Sequence, residues 1–262
     1  MSLPEYELLA IRYAGHPRTR RENLLGEDAR PDEAMPIDYF VWAVRGPDGT
    51  AWVVDTGFVA ANAAKRGRRM ERTPAEGLAL VGIDAARVAD VVLTHVHWDH
   101  AGGQDLFPAA RFHLQATEMA YVSGPCMCEP RLAVGFEPGD IAGLVEKLFA
   151  RRLVFHHGDA ELAPGLSIHR VGGHTDGMMV VRAHTRRGFM VLASDAAHFY
   201  ENMSADRPFP FFHDLRGVRD GFGRMRELAD REELIIPGHD PLVLARHPAP
   251  DPSLAGIVAR LD

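Results

Sequence analysis

The chain has 262 residues, 29 basic and 36 acidic, for a formal net charge of −7. That length suits one large core, and a mildly acidic chain without a long basic run argues against a nucleic-acid partner. No apolar run is long enough to span a bilayer, and the start, MSLPEYELLAIRYAG, lacks the basic and apolar regions of a secretory signal. The reading is one cytoplasmic domain over residues 1–262 with no membrane association.

Tyr13 to Pro36 is polar for a core element and long for a plain connection. It is read as an N-terminal arm that covers the site mouth or packs against a second copy of the chain in a homodimer. Two apolar runs, Tyr39 to Val44 and Ala51 to Asp55, flank Gly46-Pro-Asp-Gly49 and predict a hairpin. Lys65, Arg66, Arg68 and Arg69 lack interleaved aromatic residues and read as a solvated face. Thr73-Pro-Ala-Glu76 supplies an N-cap, a first-turn proline and a capping-box glutamate, so a helix starts there.

Val88 to Thr94 is a nearly continuous apolar run, the pattern of a strand covered on both faces. Arg111 to Gln115 is a further strand. Cys126 and Cys128 are too close in sequence for a metal knuckle or a structural disulfide and are read as small buried thiols. Ile141 to Ala150 reads as a helix with Leu144, Val145 and Leu148 on its buried face. Leu153 to His156 and Leu166 to Val171 are strands, and Met178 to Ala183 with Phe189 to Ala193 forms a second hairpin. Leu215, Val218, Phe222, Met225 and Leu228 recur at helical spacing. Leu234 to Ile236 is a last short strand. Layered sheets with outer helices accommodate this order, an α/β fold.

Histidine is abundant, at fourteen residues, and its placement is informative. Asp55, His95, His174, Asp195 and His239 each come at or just after a strand end, where loops are rigidly mounted. In Thr94-His-Val-His-Trp-Asp-His100, His95 and His97 point the same way off an extended segment. Asp99 and His100 then reach a second position as the chain turns into a helix. Ala101-Gly-Gly103 follows and allows close backbone approach. With Gly173-His174, Ser194-Asp195 and Gly238-His239, two donor sets emerge: His95, His97 and His174 in one, Asp99, His100 and His239 in the other, bridged by Asp195. Imidazole and carboxylate donors without thiolates suit two divalent ions, zinc first, with iron, manganese or cobalt as alternatives.

These pieces, together with Asp55-Thr-Gly57, resemble the metallo-β-lactamase fold hydrolases in kind and in order. The resemblance implies a four-layered αββα sandwich. Within that superfamily, His97-Trp-Asp-His-Ala-Gly-Gly103, the run Asp195 to Met203 and Arg207-Pro-Phe-Pro210 are most similar to the N-acyl-homoserine lactone lactonases, the quorum-quenching enzymes. The implied substrate is a small-molecule lactone, opened by attack of a metal-bridging hydroxide. Asp99 is expected to orient the nucleophile and pass its proton to the leaving group, and Asp55 to support His100 or its neighbours from behind. In the lactonases a tyrosine stands three residues after the bridging aspartate and assists the substrate carbonyl. Here that position is His198, with Tyr200 two further on, and His198 is the expected hydrogen-bond donor. Phe107, Met119, Phe136, Phe149 and Phe209 to Phe212 are candidates for an acyl-chain pocket. The same metal set would also serve another lactone, a cyclic amide or a thioester, as in glyoxalase II. A mononuclear-iron persulfide dioxygenase is the competing redox reading.

Overall fold

The computed structural model describes residues 2–262. Seven strands come first: β1 (Glu7–His16), β2 (Ile37–Arg45), β3 (Ala51–Val54), β4 (Arg69–Met70), β5 (Asp90–Val92), β6 (Arg111–Gln115) and β7 (Leu153–His156). The next five, β8 (Ala160–Ala163), β9 (Leu166–Arg170), β10 (Met179–Thr185), β11 (Gly188–Ser194) and β12 (Ile235–Pro237), build a second sheet, and β13 (Val258–Arg260) returns to the first. The first sheet runs β13-β1-β2-β3-β5-β6-β7 with β4 on β1; the second runs β12-β11-β10-β9-β8. From β3 to β7 the neighbours are parallel, which demands crossover helices. The hairpins β2–β3 and β10–β11 are antiparallel, in the places the sequence reading gave them.

Ten helices connect these strands: α1 (Arg20–Asn23), α2 (Ala60–Arg66), α3 (Pro74–Ala79), α4 (Trp98–Ala101), α5 (Ala116–Val122), α6 (Pro130–Ala133), α7 (Pro138–Phe149), α8 (Tyr200–Ser204), α9 (Leu215–Leu228) and α10 (Leu242–Arg246). Alternation in the strands makes the layers. Leu8, Ala10, Phe40, Trp42 and Val44 face the second sheet, while Leu9, Ile11, Tyr39, Val41 and Ala43 join a separate core with residues of α3, α5 and α7. Val218, Phe222 and Met225 of α9 pack on the outer face of the second sheet. The result is helix, sheet, sheet, helix: an α/β sandwich with four layers.

The helix at Thr73 forms with its capping box complete: Thr73 Oγ1 accepts from the Glu76 backbone N–H, and the Glu76 carboxylate accepts from the Thr73 backbone N–H. Several expectations need correction. Tyr13 to His16 belong to β1, whose outer neighbour β13 was not foreseen, so the arm proper begins at Pro17. Of the supposed buried face of α7, only Leu144 is buried; Val145 and Leu148 are exposed, and Lys147 turns inward to pair with Asp105 at 2.9 Å. Phe149 is 83% exposed at the end of that helix and lines no pocket. Cys126 is half-buried and Cys128 exposed, so they are not the buried thiols expected.

Candidate metal centre

One carboxylate organises the site. Asp55 follows β3 in a left-handed conformation, φ +61°, and is wholly buried. It accepts from the Thr94 backbone N–H and hydroxyl, from Ser194 Oγ at 3.2 Å and from His100 Nδ1 at 2.8 Å. It therefore ties the ends of β3, β5 and β11 together beneath the donors. Gly103 lies so close to the Thr56 carbonyl that a Cβ has no room there, which explains the small residues after the histidine motif.

The seven expected donors converge. His97 Nδ1 lies 2.8 Å from His95 Nε2 and 2.9 Å from His174 Nε2. Three neutral imidazoles cannot all hydrogen-bond to one another at those distances, but nitrogens about 3.3 Å apart mark the edges of a zinc-sized tetrahedron. Asp195 Oδ2 is on the same side, 3.2 Å from His174 Nε2. Its other oxygen, Oδ1, is 2.9 Å from His239 Nε2 and 3.2 Å from His100 Nε2. Asp99 Oδ2 completes that second cluster at 3.7 Å from both His100 and His239. Asp195 thus offers one oxygen to each set.

The remaining imidazole nitrogens fix the orientation of the rings. His174 Nδ1 donates to the Phe211 carbonyl at 2.9 Å and His239 Nδ1 to the Asp38 carbonyl at 2.8 Å, as His100 Nδ1 does to Asp55. With Nδ1 carrying the proton, each Nε2 presents a lone pair to the centre. Burial, joined by neighbouring imidazoles, pulls His95 and His97 well below the usual histidine range, which keeps them unprotonated. Burial also raises the Asp195 carboxyl, and the positive charge that His198, His100 and His239 carry when protonated outweighs it, placing the group well below the ordinary carboxylate range.

A family model, the metallo-beta-lactamase superfamily, matches residues 36–239. The chain belongs to that superfamily. The N-acyl homoserine lactonase AiiA of Bacillus thuringiensis subsp. kurstaki is 25% identical over 169 residues, 61% of this chain and 59% of that protein. AiiB of Agrobacterium fabrum (strain C58 / ATCC 33970) is 28% identical over 181 residues, 63% of this chain and 61% of its own length. The chain thus spans about three fifths of the curated relatives it matches. Among solved structures, a quorum-quenching N-acyl homoserine lactone lactonase superposes with a TM-score of 0.74 at 21% identity, covering 92% of this chain and 93% of the other. AidC, a dizinc quorum-quenching lactonase, gives 0.67 at 20% identity, covering 91% and 89%. At that identity the structural match establishes the fold.

Membership of the metallo-beta-lactamase superfamily implies divalent metal binding, and the donor set fits it. His100 Nε2 and Asp195 Oδ1 are buried without hydrogen-bond partners, a costly state that a cation at this point would relieve. Gly135 backs His97: a Cβ there would come within 2.6 Å of the imidazole, so only glycine lets the ring stand where it does.

The donors open onto a cavity of about 220 Å³. His198 lines it, stacked on Phe209 with ring centroids 3.7 Å apart, and its Nε2 is 3.1 Å from Asp195 Oδ2. Burial brings the His198 imidazole down to about 3. Tyr200 is not in the wall; its backbone N–H caps onto Asp240 and Arg246 covers its ring. Of the aromatic residues proposed for a pocket, Phe209 and Phe211 line the cavity, Phe136 backs His97 at 4.5 Å, and Phe107 is core. Tyr39, Gly135, Arg66 and Arg68 in the wall escaped the sequence reading, whereas Arg18 comes from the arm that was read as covering the site mouth. Arg66 and Arg68, assigned to a solvated face, are half-buried there, because α2 ends at left-handed Gly67 and the reversal turns both inward.

Glu118 on α5 was also missed. It is fully buried and accepts from the Val96 N–H at 3.0 Å, the Thr175 hydroxyl at 2.7 Å and the Gly177 N–H at 2.9 Å. It thereby clamps the loop of His95 and His97 to the loop of His174. Burial pushes its carboxyl up to about 7 against the pull of these three donors. A Glu118→Gln side chain can present its oxygen to only one loop and turns an amide N–H toward a donor on the other. Urea denaturation of the metal-free variant is expected to show a loss of about 1–3 kcal/mol, the cost of a buried unpaired group.

Proposed function

We propose that the protein is a dinuclear metal-dependent hydrolase that opens lactone rings, with N-acyl-homoserine lactones the first substrates to test. The observation that carries this reading is Asp195, whose two oxygens face separate donor sets, His95–His97–His174 and Asp99–His100–His239. It is supported by the curated relatives, which are N-acyl homoserine lactonases. Imidazole and carboxylate donors favour zinc. When bound, the ions supply a nucleophilic water at neutral pH and an electrophilic pull on the scissile carbonyl.

The chain's own residues do the rest. Asp99 is the least enclosed of the donors and faces the cavity, so its carboxylate can take the proton of the attacking water and return it to the departing alkoxide. His198, its Nε2 3.1 Å from Asp195 Oδ2 and its ring fixed by stacking on Phe209, is the hydrogen-bond donor toward the substrate carbonyl. Phe209, Phe211 and Phe136 exclude water from one side of that centre.

The test is proton release by purified protein with N-acyl-homoserine lactones, simple lactones and a thioester, before and after chelation. Metal-dependent opening of the acyl-homoserine lactones, restored by two equivalents of Zn²⁺, is the expected result. Silence on every lactone, with the metal sites filled and the thioester cleaved, would assign the chain to thioester hydrolysis instead.

A further inference from the structure

Three arginines stand in the wall of the metal cavity: Arg18 from the arm and Arg66 and Arg68 from the turn after α2. Arg66 is held by Glu137 at 2.7 Å, a carboxylate it shares with Lys65. Among the described residues, Arg18 and Arg68 have no carboxylate partner. Arg18 gives one Nη2 hydrogen to the Glu22 carbonyl, and its Nε is buried without any partner. Arg68 donates through Nε to Tyr39 Oη at 2.9 Å and through Nη1 to the Arg66 carbonyl, with the His16 ring also at 3.2 Å from that nitrogen. This leaves Nη1 of Arg18 and Nη2 of Arg68 as the donors without protein acceptors that a ligand in the cavity can meet, since the unpartnered Arg18 Nε is closed off by protein atoms.

Each guanidinium is joined to the centre through aromatic rings. Arg18 lies over Phe209, 5.0 Å from its centroid, and Phe209 stacks on His198. Arg68 holds Tyr39, whose ring meets that of His239 at 5.2 Å. Both positions are prepared in advance. The arm that carries Arg18 is pinned by Arg20 to Asp28 and Glu201, by Arg207 to Asp28, and by the Leu25 N–H to the Pro208 carbonyl at 2.8 Å. Burial draws the Arg18 guanidinium down, and Arg68 adds to that, while Glu22 and Tyr39 oppose it. Two unpaired, partly desolvated cations side by side in a chain of net charge −7 are costly unless an anion meets them.

We propose that Arg18 and Arg68 form an anion subsite, so that a lactone bearing a free carboxylate remote from the bond being cleaved is bound in preference to an uncharged N-acyl-homoserine lactone. The proposal rests on the hydrolase reading above for where the scissile bond lies. The free donors suit a two-oxygen group better than a phosphate, because most of Arg68's hydrogens are already committed. A purely aliphatic acyl tail would instead leave both cations unmatched.

Two experiments separate the subsite from the reaction. In the first, titration calorimetry on the zinc-loaded protein compares glutarate, butyrate and 4-phosphonobutyrate, which share a carboxylate head and a three-carbon chain and differ at the far end. Glutarate is expected to bind at least about tenfold more tightly than butyrate and more tightly than the phosphonate, and Arg18→Ala or Arg68→Ala should each reduce its advantage over butyrate to less than about threefold. Arg18→Glu should abolish it. Because the readout is a ratio on one protein, general damage to the site does not imitate it, and Arg68→Lys should recover part of the preference. In the second, a γ-lactone with a side-chain carboxylate is compared with its methyl ester, and the acid is expected to show the lower KM with similar kcat. Equal affinity for glutarate and butyrate, or a preference that survives both alanine variants, overturns the subsite. A phosphonate preference lost in those variants overturns the carboxylate assignment. Glutarate preference lost on substitution, with no lactone hydrolysed, leaves the subsite standing and rejects the reaction.

Discussion

Asp99→Asn is expected to lower kcat by about 10²–10⁴-fold while leaving fold and metal content nearly intact. The argument is geometric. Asp99 stands at the N-terminal turn of α4, presents Oδ2 to His100 and His239 at 3.7 Å, and is the only half-buried residue in a donor set otherwise buried. Its backbone carbonyl is held separately by the Tyr13 hydroxyl at 3.2 Å, so the turn does not depend on the carboxylate. Asparagine keeps an oxygen for a cation but cannot take up a proton at neutral pH. A thermal melt within about 0.5 kcal/mol of wild type, two retained metal equivalents and a collapsed kcat together would assign proton transfer to this side chain. Near wild-type turnover would remove that role. A protein that lost half its metal would make Asp99 a ligand first.

The cluster of candidate donors was legible in the sequence because each residue is local to a short motif and each motif ends a strand. Four of the seven occur within six residues of chain, His95 to His100, and the other three follow a strand or its adjoining turn. Strand patterning was read for the same reason: the hairpin strands β2, β3 and β10 carry dense β-branched, aromatic or apolar runs, and turn residues separate each hairpin's strands. What remained hidden depends on contacts between distant segments. β13 is three residues long and is a strand only because β1 offers it an edge. Arg66 and Arg68 look like a solvated cluster until the left-handed Gly67 turns them toward Trp98, over which Arg66 lies at 4.7 Å. Glu118 is an ordinary helix glutamate in sequence, and its role comes from three donors on loops 22 to 59 residues away. Lys147 replaced the expected leucine face of α7 because its amine reaches Asp105 while its stem covers Phe112, with the amine 5.5 Å from that ring.

Asp195→Ala should have the more general effect, because this carboxylate belongs to both donor sets. It follows left-handed Ser194, φ +45°, at the end of β11, a conformation held by Ser194 Oγ against Asp55 and Thr94 Oγ1. The carboxylate therefore projects into the centre from a constrained backbone, with five imidazole nitrogens, that of His198 included, between 2.9 and 3.7 Å of its oxygens. Removing it leaves His95, His97 and His174 on one side and Asp99, His100 and His239 on the other, each set short of a ligand and the two no longer joined by negative charge. Elemental analysis after gel filtration should find one metal equivalent or fewer, and kcat/KM for the best lactone should fall by at least about 10³-fold. The two measurements discriminate between kinds of centre. If metal content falls from two to one and excess zinc restores little activity, the reaction needs both ions held at a fixed separation. If a single ion is retained and turnover persists within about tenfold, one set suffices and the second is structural. Circular dichroism of the metal-free variant should match that of the metal-free wild type, because the fold at this point is held by Asp55, Thr94 and Ser194 rather than by Asp195.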